Sequence, residues 1–294
     1  MRVTVTGASG FIGSYLVEAL AARGAQVDPW TRATVDITDP SAVAAALSRF
    51  APDAVVHLAA QSLPGRSWDE PAETYRINVG GAIKLLEAAR TLPRPPRLLI
   101  AGSSAEYAER ADGRPIAEDD PLEPNSPYAA SKRAADEFAH MYARCYGLAV
   151  VRFRPFFLVG PRKRGDVCSD FARRIVAIER GAEPAMRVGD LGAVRDMIDV
   201  RDGVAGILRL LDDGAPGEVY NVCGGHGVRI ADVLETLRGL ATVPITVAQD
   251  PALLRTLEHA VKVGDPSKLR ALGWSPAYRL DDTLRAILDY ERTQ

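Results

Sequence analysis

The sequence predicts an α/β protein, in which a doubly wound parallel sheet is followed by a smaller, mixed α/β lobe in the C-terminal part. The first observation is a β-branched run, residues 2–6, that leads through a glycine turn into a stretch with helical periodicity. The second is that short apolar runs alternate with helical stretches through the first half, as in parallel strands joined by helices. The third is that this regularity weakens after about Pro155, where basic and turn-forming residues accumulate.

Three glycines, Gly7, Gly10 and Gly13, join the first strand to the first helix. A side chain at these positions would block the tight turn, the approach of a pyrophosphate to backbone N–H groups, or the close packing of helix on strand. The helix that begins near Phe11 and Ile12 presents unpaired N–H groups and a partial positive charge. We therefore predict that these five residues form the seat of a dinucleotide.

The remaining elements of the first half continue the alternation of strand and helix. The predicted elements are strand 25–30, helix 40–50, strand 54–58, helix 69–92, strand 97–101, helix 126–146 and strand 148–153. Those of the second half are helix 170–181, helix 200–211, strand 218–222, helix 230–240 and a last amphipathic helix through 280–288.

This order predicts two domains. Residues 1–155 are the expected dinucleotide-binding domain, and residues 156–294 are the expected substrate-binding lobe. The segment at about residues 190–225 is expected to return to the first domain. In open α/β sheets, ligands bind outside the carboxyl ends of the strands, so we expect the second lobe to cover that edge.

Charge and composition exclude several classes of protein. The chain has 294 residues, a formal net charge of -2 and no basic stripe, so nucleic acid is not an expected partner. It has no apolar stretch near the roughly 20 residues that cross a bilayer, and we expect a cytoplasmic protein without membrane contact. Three distant cysteines fit reduced thiols, and four scattered histidines predict that there is no metal site. His57 is interpreted as a packed strand-end residue.

The predicted catalytic residues are Ser104, Tyr128 and Lys132. Tyr128 and Lys132 are four residues apart on one predicted helix, so their side chains lie on one face. An ammonium beside a phenol favours the phenolate and lowers a pKa that starts at about 10, which makes an acid–base pair. Ser104, after strand 97–101, is predicted to hydrogen-bond the reacting oxygen. An ordinary surface Tyr and Lys is the alternative, and the glycine turn and the strand-end serine favour the catalytic interpretation.

Several motifs in order resemble the extended short-chain dehydrogenase/reductases that act on nucleotide sugars. The matching stretches are T-G-A-S-G-F-I-G at 6–13, V-D-I-T-D at 35–39, H-L-A-A at 57–60, Asn78-Val79, Ser103-Ser104, Y-A-A-S-K at 128–132, R-P-F at 154–156 and Gly160-Pro161. The resemblance spans nearly the whole chain. It implies a Rossmann-type sheet, a nicotinamide dinucleotide cofactor and a nucleotide-sugar substrate.

Within this family the sequence is most similar to the GDP-6-deoxy-D-mannose reductases, which form GDP-D-rhamnose from GDP-4-keto-6-deoxy-D-mannose. The similar stretches are 169–175, 187–191, 195–202, 217–223 and 249–258. The resemblance implies that Arg195 and Arg255 hold the diphosphate or nucleotide, as bidentate guanidinium groups suit. The expected substrate-binding set is Ser104, Glu106, Phe157, Arg195, Arg255 and Glu258.

Two positions depart from the pattern of these reductases. They usually carry Asn after R-P-F, whereas this chain has Phe157, so an amide contact to the substrate is lost there. The second is Ala108, where glycine is usual, and it has no clear consequence.

The end of the second strand predicts which dinucleotide is used. An acidic residue there accepts the ribose hydroxyls of NAD and repels a 2′-phosphate. The strand tip falls at Thr31 and Arg32, which suit NADP(H), although Asp28 lies close enough to leave NAD(H) open. The resemblance adds further cofactor contacts, so that the whole expected set is Gly7, Gly10, Phe11, Ile12, Gly13, Arg32, Asp36, Ile37, Leu58, Ala59, Ala60, Tyr128, Lys132 and Pro155.

Other reactions stay open at this point. A 4,6-dehydratase of the same family needs a glutamate base, and Glu106 lies near Ser104, but the dehydratase pattern Thr-x-Glu-x-Tyr is not matched. A 4-epimerase, which recycles its cofactor, and a non-catalytic dinucleotide-sensing protein are weaker alternatives. Most members of the family are dimers that pair through two long helices, which implies a homodimer through residues 69–92 and 126–146.

Overall fold

The computed structural model describes residues 1–108, 110, 113–182, 184–250 and 261–294. Its strands are β1 Arg2–Thr6, β2 Gln26–Trp30, β3 Ala54–His57, β4 Arg97–Ala101, β5 Val150–Pro155, β6 Phe157–Val159, β7 Met186–Val188, β8 Val194–Asp199, β9 Val219–Val222, β10 Gly227–Arg229, β11 Val247–Gln249 and β12 Val261–Lys262. Its helices are α1 Phe11–Ala22, α2 Pro40–Phe50, α3 Pro64–Asp69, α4 Pro71–Arg90, α5 Pro127–Tyr146, α6 Val167–Glu179, α7 Val200–Asp213, α8 Ile230–Gly239, α9 Ser267–Arg270 and α10 Leu280–Thr293.

Six parallel strands form the main sheet in the order β2-β1-β3-β4-β5-β9. Helices α1 and α7 contribute to one apolar cluster of the core, and α2, α4 and α5 contribute to another, so helices cover both faces. The strands read as short apolar runs because they are buried on both sides. The predicted doubly wound parallel sheet is confirmed.

The second lobe is built from short strands around β8 and from α6, α8 and α10. Strand β8 pairs with β6, β10 and β12, while β7 pairs with β11. The apolar faces of the three helices pack together with Val159, Met186 and Met197 into a separate core cluster. This lobe connects to the sheet through Pro155, which ends β5, and Phe157, which begins β6.

The structure differs from the sequence prediction in two respects. The predicted helix 69–92 is two helices, because α3 ends at Asp69 and Pro71 begins α4. The proline has no N–H to continue the α3 ladder, and its fixed φ suits the first turn of a helix. The strands of the second lobe, two to six residues long, are absent from the sequence prediction.

Strand β9 lies beside β5 in the main sheet. The division of the chain at residue 155 into two domains, and the return of the segment around residues 190–225 to the first domain, stay predictions. In the described part of the chain, no helix has the length and apolar character to span a membrane.

Candidate functional site

The candidate site lies where the parallel strands end. The loops that follow β1, β3, β4 and β5 emerge at one edge of the sheet because parallel strands share their carboxyl ends. They carry the glycine turn, residues 58–60, residues 102–106 and Pro155, and the first turns of α5 lie beside them. The structure therefore brings most of the predicted cofactor and catalytic residues to one crevice.

The glycine turn allows close approach between backbone segments. Gly7 has φ +69°, and a Cβ there would lie 2.8 Å from the backbone nitrogen of Ala59. A Cβ on Gly13 would collide with the carbonyl oxygen of Gly7, and one on Gly10 would lie 3.1 Å from that oxygen. The N-cap of α1, Gly10, makes no side-chain cap, and the first turn of α1 has no acidic residue. The helix N-terminus thus presents its amide groups and partial positive charge without a competing side chain.

The end of β2 lies beside this turn. Trp30 is buried, and its carbonyl accepts a hydrogen bond of 3.0 Å from the amide of Ala8. Asp28 lies two residues before the end of the strand, where its carboxylate accepts a hydrogen bond of 2.7 Å from the Trp30 indole N–H. The residues that follow the strand are Thr31 and the exposed Arg32. The Asp28 carboxylate is therefore engaged by Trp30, the last residue of the strand, and Thr31 and Arg32, which follow the strand, carry no carboxylate.

Loops from neighbouring strands support the same crevice. The hydroxyl oxygen of Thr6 accepts hydrogen bonds from the amides of Leu58 and Ala59, at 3.2 and 3.1 Å, and lies 2.8 Å from Nδ1 of His57. Burial, with Lys132 nearby, lowers the pKa of His57 to about 3, so the ring is neutral near pH 7. His57 is a packed residue at the end of β3, as predicted. Ile37 packs against Gly81 of α4, and the carboxylate of Asp36 accepts hydrogen bonds from Thr38.

Tyr128 and Lys132 lie in the first turns of α5. Ser126 caps this helix by accepting the amide of Ala129, and Pro127 begins it. Lys132 is buried, and its ammonium donates to the carbonyl of Ala101, the last residue of β4. The helix is thereby fixed against the edge of the sheet where β4 ends.

Ser103, and not Ser104, is the serine beside Tyr128. The Ser103 side chain hydrogen-bonds the Tyr128 phenol, and its hydroxyl oxygen accepts the amide of Ala105 at 3.1 Å. Ser104 is the first residue of a short 3-10 turn, Ser104–Glu106, and Ser103 is its N-cap. The catalytic role predicted for Ser104 therefore fits Ser103, because the turn directs the side chain of the N-cap residue toward α5.

The pKa of Tyr128 differs from the expectation. Burial raises the pKa of the phenol above its usual range, the Ser103 hydrogen bond opposes this rise, and the Glu106 carboxylate adds to it. Burial also lowers the pKa of Lys132, against the opposing effect of Glu106 and Asp136. In this structure the lysine ammonium contacts the Ala101 carbonyl, and the predicted lowering of the phenol pKa by Lys132 is absent.

Glu106 does not reach the crevice. Its side chain is 0% exposed, its Oε2 lies 3.1 Å from Nε of Arg154, and its Oε1 accepts the Ser103 amide at 2.6 Å. Burial and the nearby Asp136 raise the pKa of Glu106 above its ordinary value, while Arg154 opposes the rise. The prediction that Glu106 contacts substrate is wrong, because the carboxylate points into the interior and is paired there.

The second lobe holds the remaining predicted substrate residues. Half-buried Phe157 lies in β6, with Nζ of Lys163 4.4 Å from the centre of its ring. Arg195 lies in β8, and its guanidinium donates to the carbonyl of Val194 at 2.9 Å. Arg255 and Glu258 fall outside the described residues.

The aspartates that follow Arg195 are structural. Asp196 is 1% exposed and accepts the amides of Gly224, Gly225 and Gly264 at 2.7 to 3.1 Å. Asp199 caps α7 and accepts the Thr283 hydroxyl, and Asp202 accepts the amides of Ala277 and Tyr278. The three aspartates in this part of the resemblance therefore hold the second lobe together. In the described part of the chain, no group of three or more His, Cys, Asp or Glu could hold a metal ion.

Comparison with known proteins identifies the family. The model of the NAD dependent epimerase/dehydratase family matches residues 3–223. The chain belongs to this family. A GDP-6-deoxy-D-mannose reductase of Pseudomonas aeruginosa is 35% identical over 299 residues, which cover 99% of this chain and 97% of the relative.

Solved structures agree with this membership. RMD from Pseudomonas aeruginosa, complexed with NADPH, matches with a TM-score of 0.92 and 34% identity over 99% of each chain. A UDP-glucose 4-epimerase of Thermus thermophilus, in complex with NAD, matches with a TM-score of 0.89 and 32% identity over 99% of each chain. The predicted resemblance to extended short-chain dehydrogenase/reductases is confirmed. Since relatives in the epimerase/dehydratase family include a reductase and an epimerase, membership alone does not decide the reaction.

Proposed function

We propose that this chain reduces the C4 ketone of a nucleotide-linked 6-deoxy-4-ketohexose. The favoured reaction converts GDP-4-keto-6-deoxy-D-mannose to GDP-D-rhamnose with NADPH. The observation that carries the proposal is the crevice in which Ser103, Tyr128 and Lys132 meet without a carboxylate base among the described residues. The similarity to the Pseudomonas reductase supports the choice of a GDP-linked substrate.

The residues present fit a dinucleotide. Gly7 and Gly13 allow the close backbone packing that shapes the turn, and the uncapped N-terminus of α1 offers amide donors to a pyrophosphate. The tip of β2 has Arg32 and no carboxylate, which favours the 2′-phosphate of NADP(H) over NAD(H). Leu58, Ala59 and Pro155 border the same crevice and are proposed as further contacts.

Each side chain of the site has a defined part in the reduction. When bound, NADPH supplies a hydride for the carbonyl carbon. The Tyr128 hydroxyl gives its proton to the carbonyl oxygen. The raised pKa of the phenol keeps this hydroxyl protonated near neutral pH, so the proton is available for transfer. Ser103 accepts the Ala105 amide, so its own hydrogen can be donated to the reacting oxygen. Lys132 holds the first turns of α5 against β4, and its ammonium would bind the nicotinamide ribose of the cofactor.

Dehydration is disfavoured by the position of Ser103. In the dehydratase pattern Thr-x-Glu-x-Tyr, the base stands two residues after the hydroxyl residue. Two residues after Ser103 is Ala105, which has no carboxyl group, and Glu106 is buried against Arg154. The turn after β4 thus supplies no base in the place where the dehydratase pattern has one for removal of the C5 proton.

The test mixes purified protein, NADPH and GDP-4-keto-6-deoxy-D-mannose and follows the near-ultraviolet absorbance of NADPH. We expect one NADPH to be oxidised for each ketone consumed, and a slower rate with NADH. Tyr128→Phe should bind NADPH as the parent does and lose about 100-fold or more in kcat. Bound NADPH with no oxidation, or full activity of Tyr128→Phe, would contradict the proposal.

A further inference from the structure

Arg154 lies between the two segments that carry the proposed catalytic hydroxyls. It is in β5, and its side chain is 3% exposed. Its Nε lies 3.1 Å from Oε2 of Glu106, and its Nη2 lies 2.7 Å from Oδ2 of Asp136. The guanidinium therefore bridges two buried carboxylates, one in the turn after β4 and one in α5.

Each carboxylate is attached to part of the site. Glu106 accepts the backbone amide of Ser103 at 2.6 Å. Gly102 leaves room for this contact, since a Cβ there would lie 2.6 Å from the Glu106 carboxylate. Asp136 follows Lys132 by one helical turn and Tyr128 by two turns, so all three side chains project from one face of α5.

The branched guanidinium of an arginine is needed at position 154. Besides the two carboxylates, Nη1 donates to the Tyr107 hydroxyl at 2.9 Å and to the Glu118 carbonyl at 3.2 Å. A lysine has one donor atom and cannot span these positions together. Buried ion pairs add little net stability compared with apolar packing, because removing the charges from water is costly. A role in geometry therefore accounts for this cluster better than a role in stability.

We infer that Arg154 is a positioning residue, which clamps the Ser103 turn to α5 and so fixes the Ser103 hydroxyl against the Tyr128 phenol. The clamp consists of Glu106, Arg154 and Asp136. Its effect on turnover rests on the proposed ketone reduction. Its effect on the Ser103 amide does not depend on that reaction, so exchange of this amide tests the clamp separately from the proposed function.

The first test compares Arg154→Lys with Arg152→Lys. Arg152 is a matched control, because its guanidinium lies 3.0 Å from the same Asp136 carboxylate, and its described contacts do not include the Ser103 turn. Amide exchange of Ser103 is measured by NMR on protein labelled with ¹⁵N-serine. We expect exchange at Ser103 to quicken about tenfold or more in Arg154→Lys and to stay near the parent rate in Arg152→Lys. Equal exchange rates in both variants overturn the clamp.

The second test uses kinetics and a double-mutant cycle. Arg154→Lys should lower kcat about 10- to 100-fold with little change in the KM for NADPH, because a displacement of about 1 Å in a catalytic group has such an effect. In a Ser103→Ala background the same substitution should have almost no further effect on kcat, since both changes remove one interaction. Equal losses in both backgrounds mean that Arg154 acts independently of Ser103 and contradict the inference.

Glu106→Gln keeps an acceptor for the Ser103 amide and removes the charge that Arg154 contacts. This variant replaces Arg154→Lys in the test if Arg154→Lys does not fold. It should lower kcat about tenfold and show the same lack of additivity with Ser103→Ala. If the parent protein does not reduce the ketone while Ser103 exchange still depends on Arg154, the proposed function is refuted and the clamp is supported.

Discussion

The phenol of Tyr128 experiences two opposing influences. Burial raises its pKa, and a hydrogen bond from Ser103 lowers it. A proton donor works best when its pKa is close to the pH at which it acts, and without substrate the Ser103 hydrogen bond moves the phenol pKa in that direction. When the ketone is bound, the single hydroxyl hydrogen of Ser103 is proposed to turn to the reacting oxygen. The effect on turnover therefore depends on which serine makes this contact.

Substituting the two serines separately distinguishes their roles. Ser103→Ala removes the hydrogen bond to Tyr128 and should lower kcat about 100-fold, the size seen when one donor to a developing oxyanion is removed. Ser104→Ala should change kcat less than about threefold, because its backbone carbonyl, not its hydroxyl, makes the contact to Tyr107. Steady-state kinetics at saturating NADPH measure both, and a larger loss in Ser104→Ala would reverse the assignment.

Arg32 is the residue on which the choice of dinucleotide depends. Arg32→Ala should raise the KM for NADPH about tenfold, which corresponds to about 1.4 kcal/mol, and leave the KM for NADH nearly unchanged. Arg94→Ala is the control, since Arg94 is also exposed but precedes the amino end of β4, at the opposite edge of the sheet. Equal changes for the two cofactors would show that Arg32 does not contact a 2′-phosphate.

Some residues of the site could be predicted from the sequence and others could not. The glycine turn and the Tyr128–Lys132 pair follow from local spacing, which a strand and a helix determine without tertiary information. The spacing Ser103-x-x-Glu106 is a capping-box signature, and it could have pointed to Ser103 as the N-cap of the turn. The burial of Glu106 could not be predicted, because Arg154, its partner, is 48 residues away in the chain.

At the scale of elements, helix packing joins distant parts of the second lobe. Helix α6 packs against α10, and Glu179 at the end of α6 accepts Arg292 of α10 and the amide of Thr242. These contacts lower the pKa of Glu179 to about 2. Because the carboxylate is ionised more readily in the folded chain, it stabilises the fold above its ordinary pKa of 4.5, and this stabilisation is lost as the pH falls toward 2.

Glu179→Gln should therefore lower the free energy of unfolding by about 1–3 kcal/mol at pH 7, the range for hydrogen bonds to a charged group. The difference from the parent should shrink as the pH falls from 4.5 toward 2. Urea unfolding at several pH values measures it. Glu235→Gln is the control, since the side chain of Glu235 is 65% exposed and its pairing with Arg238 contributes less than about 1 kcal/mol. A difference that does not depend on pH would exclude ionisation of Glu179 as its cause.

The secondary-structure elements differ in how well the sequence predicts them. The main sheet and the helices that cover it could be predicted because most of its strands are short apolar or β-branched runs and the helices have apolar residues at helical spacing. Strands β6, β7 and β10 to β12 contain only two or three residues, too few to show any period. Pro71, at the start of α4, marks the break between α3 and α4 in the sequence itself, because the fixed φ of proline favours the first turn of a helix over its interior.

For the whole molecule, we propose a homodimer that pairs through α4 and α5. Tyr75 of α4 and Met141 of α5 are 41% and 40% exposed in the single chain, which leaves apolar surface on this helix pair. Sedimentation should give twice the chain mass of 31.6 kDa. Met141→Glu should shift the protein to monomer, because an ionised carboxylate in an apolar interface is costly to desolvate.

Val243→Glu provides the control for this experiment. Val243 is 37% exposed, similar to Met141, and it follows α8 in the second lobe, away from the helix pair. The Val243 variant should sediment as the parent does. A monomeric parent, or equal dissociation of both variants, would contradict dimerisation through α4 and α5.

The proposed reaction of the whole molecule is a net reduction that releases oxidised cofactor. NADPH carrying deuterium at the transferred position, incubated with GDP-4-keto-6-deoxy-D-mannose, tests this reaction through the mass spectrum of the nucleotide-sugar product. A reductase yields a 4-hydroxy product with one deuterium at C4 and one NADP⁺ for each molecule formed. A converted sugar without deuterium, or conversion with no net change in NADPH, would instead indicate an epimerase or a dehydratase and contradict the account.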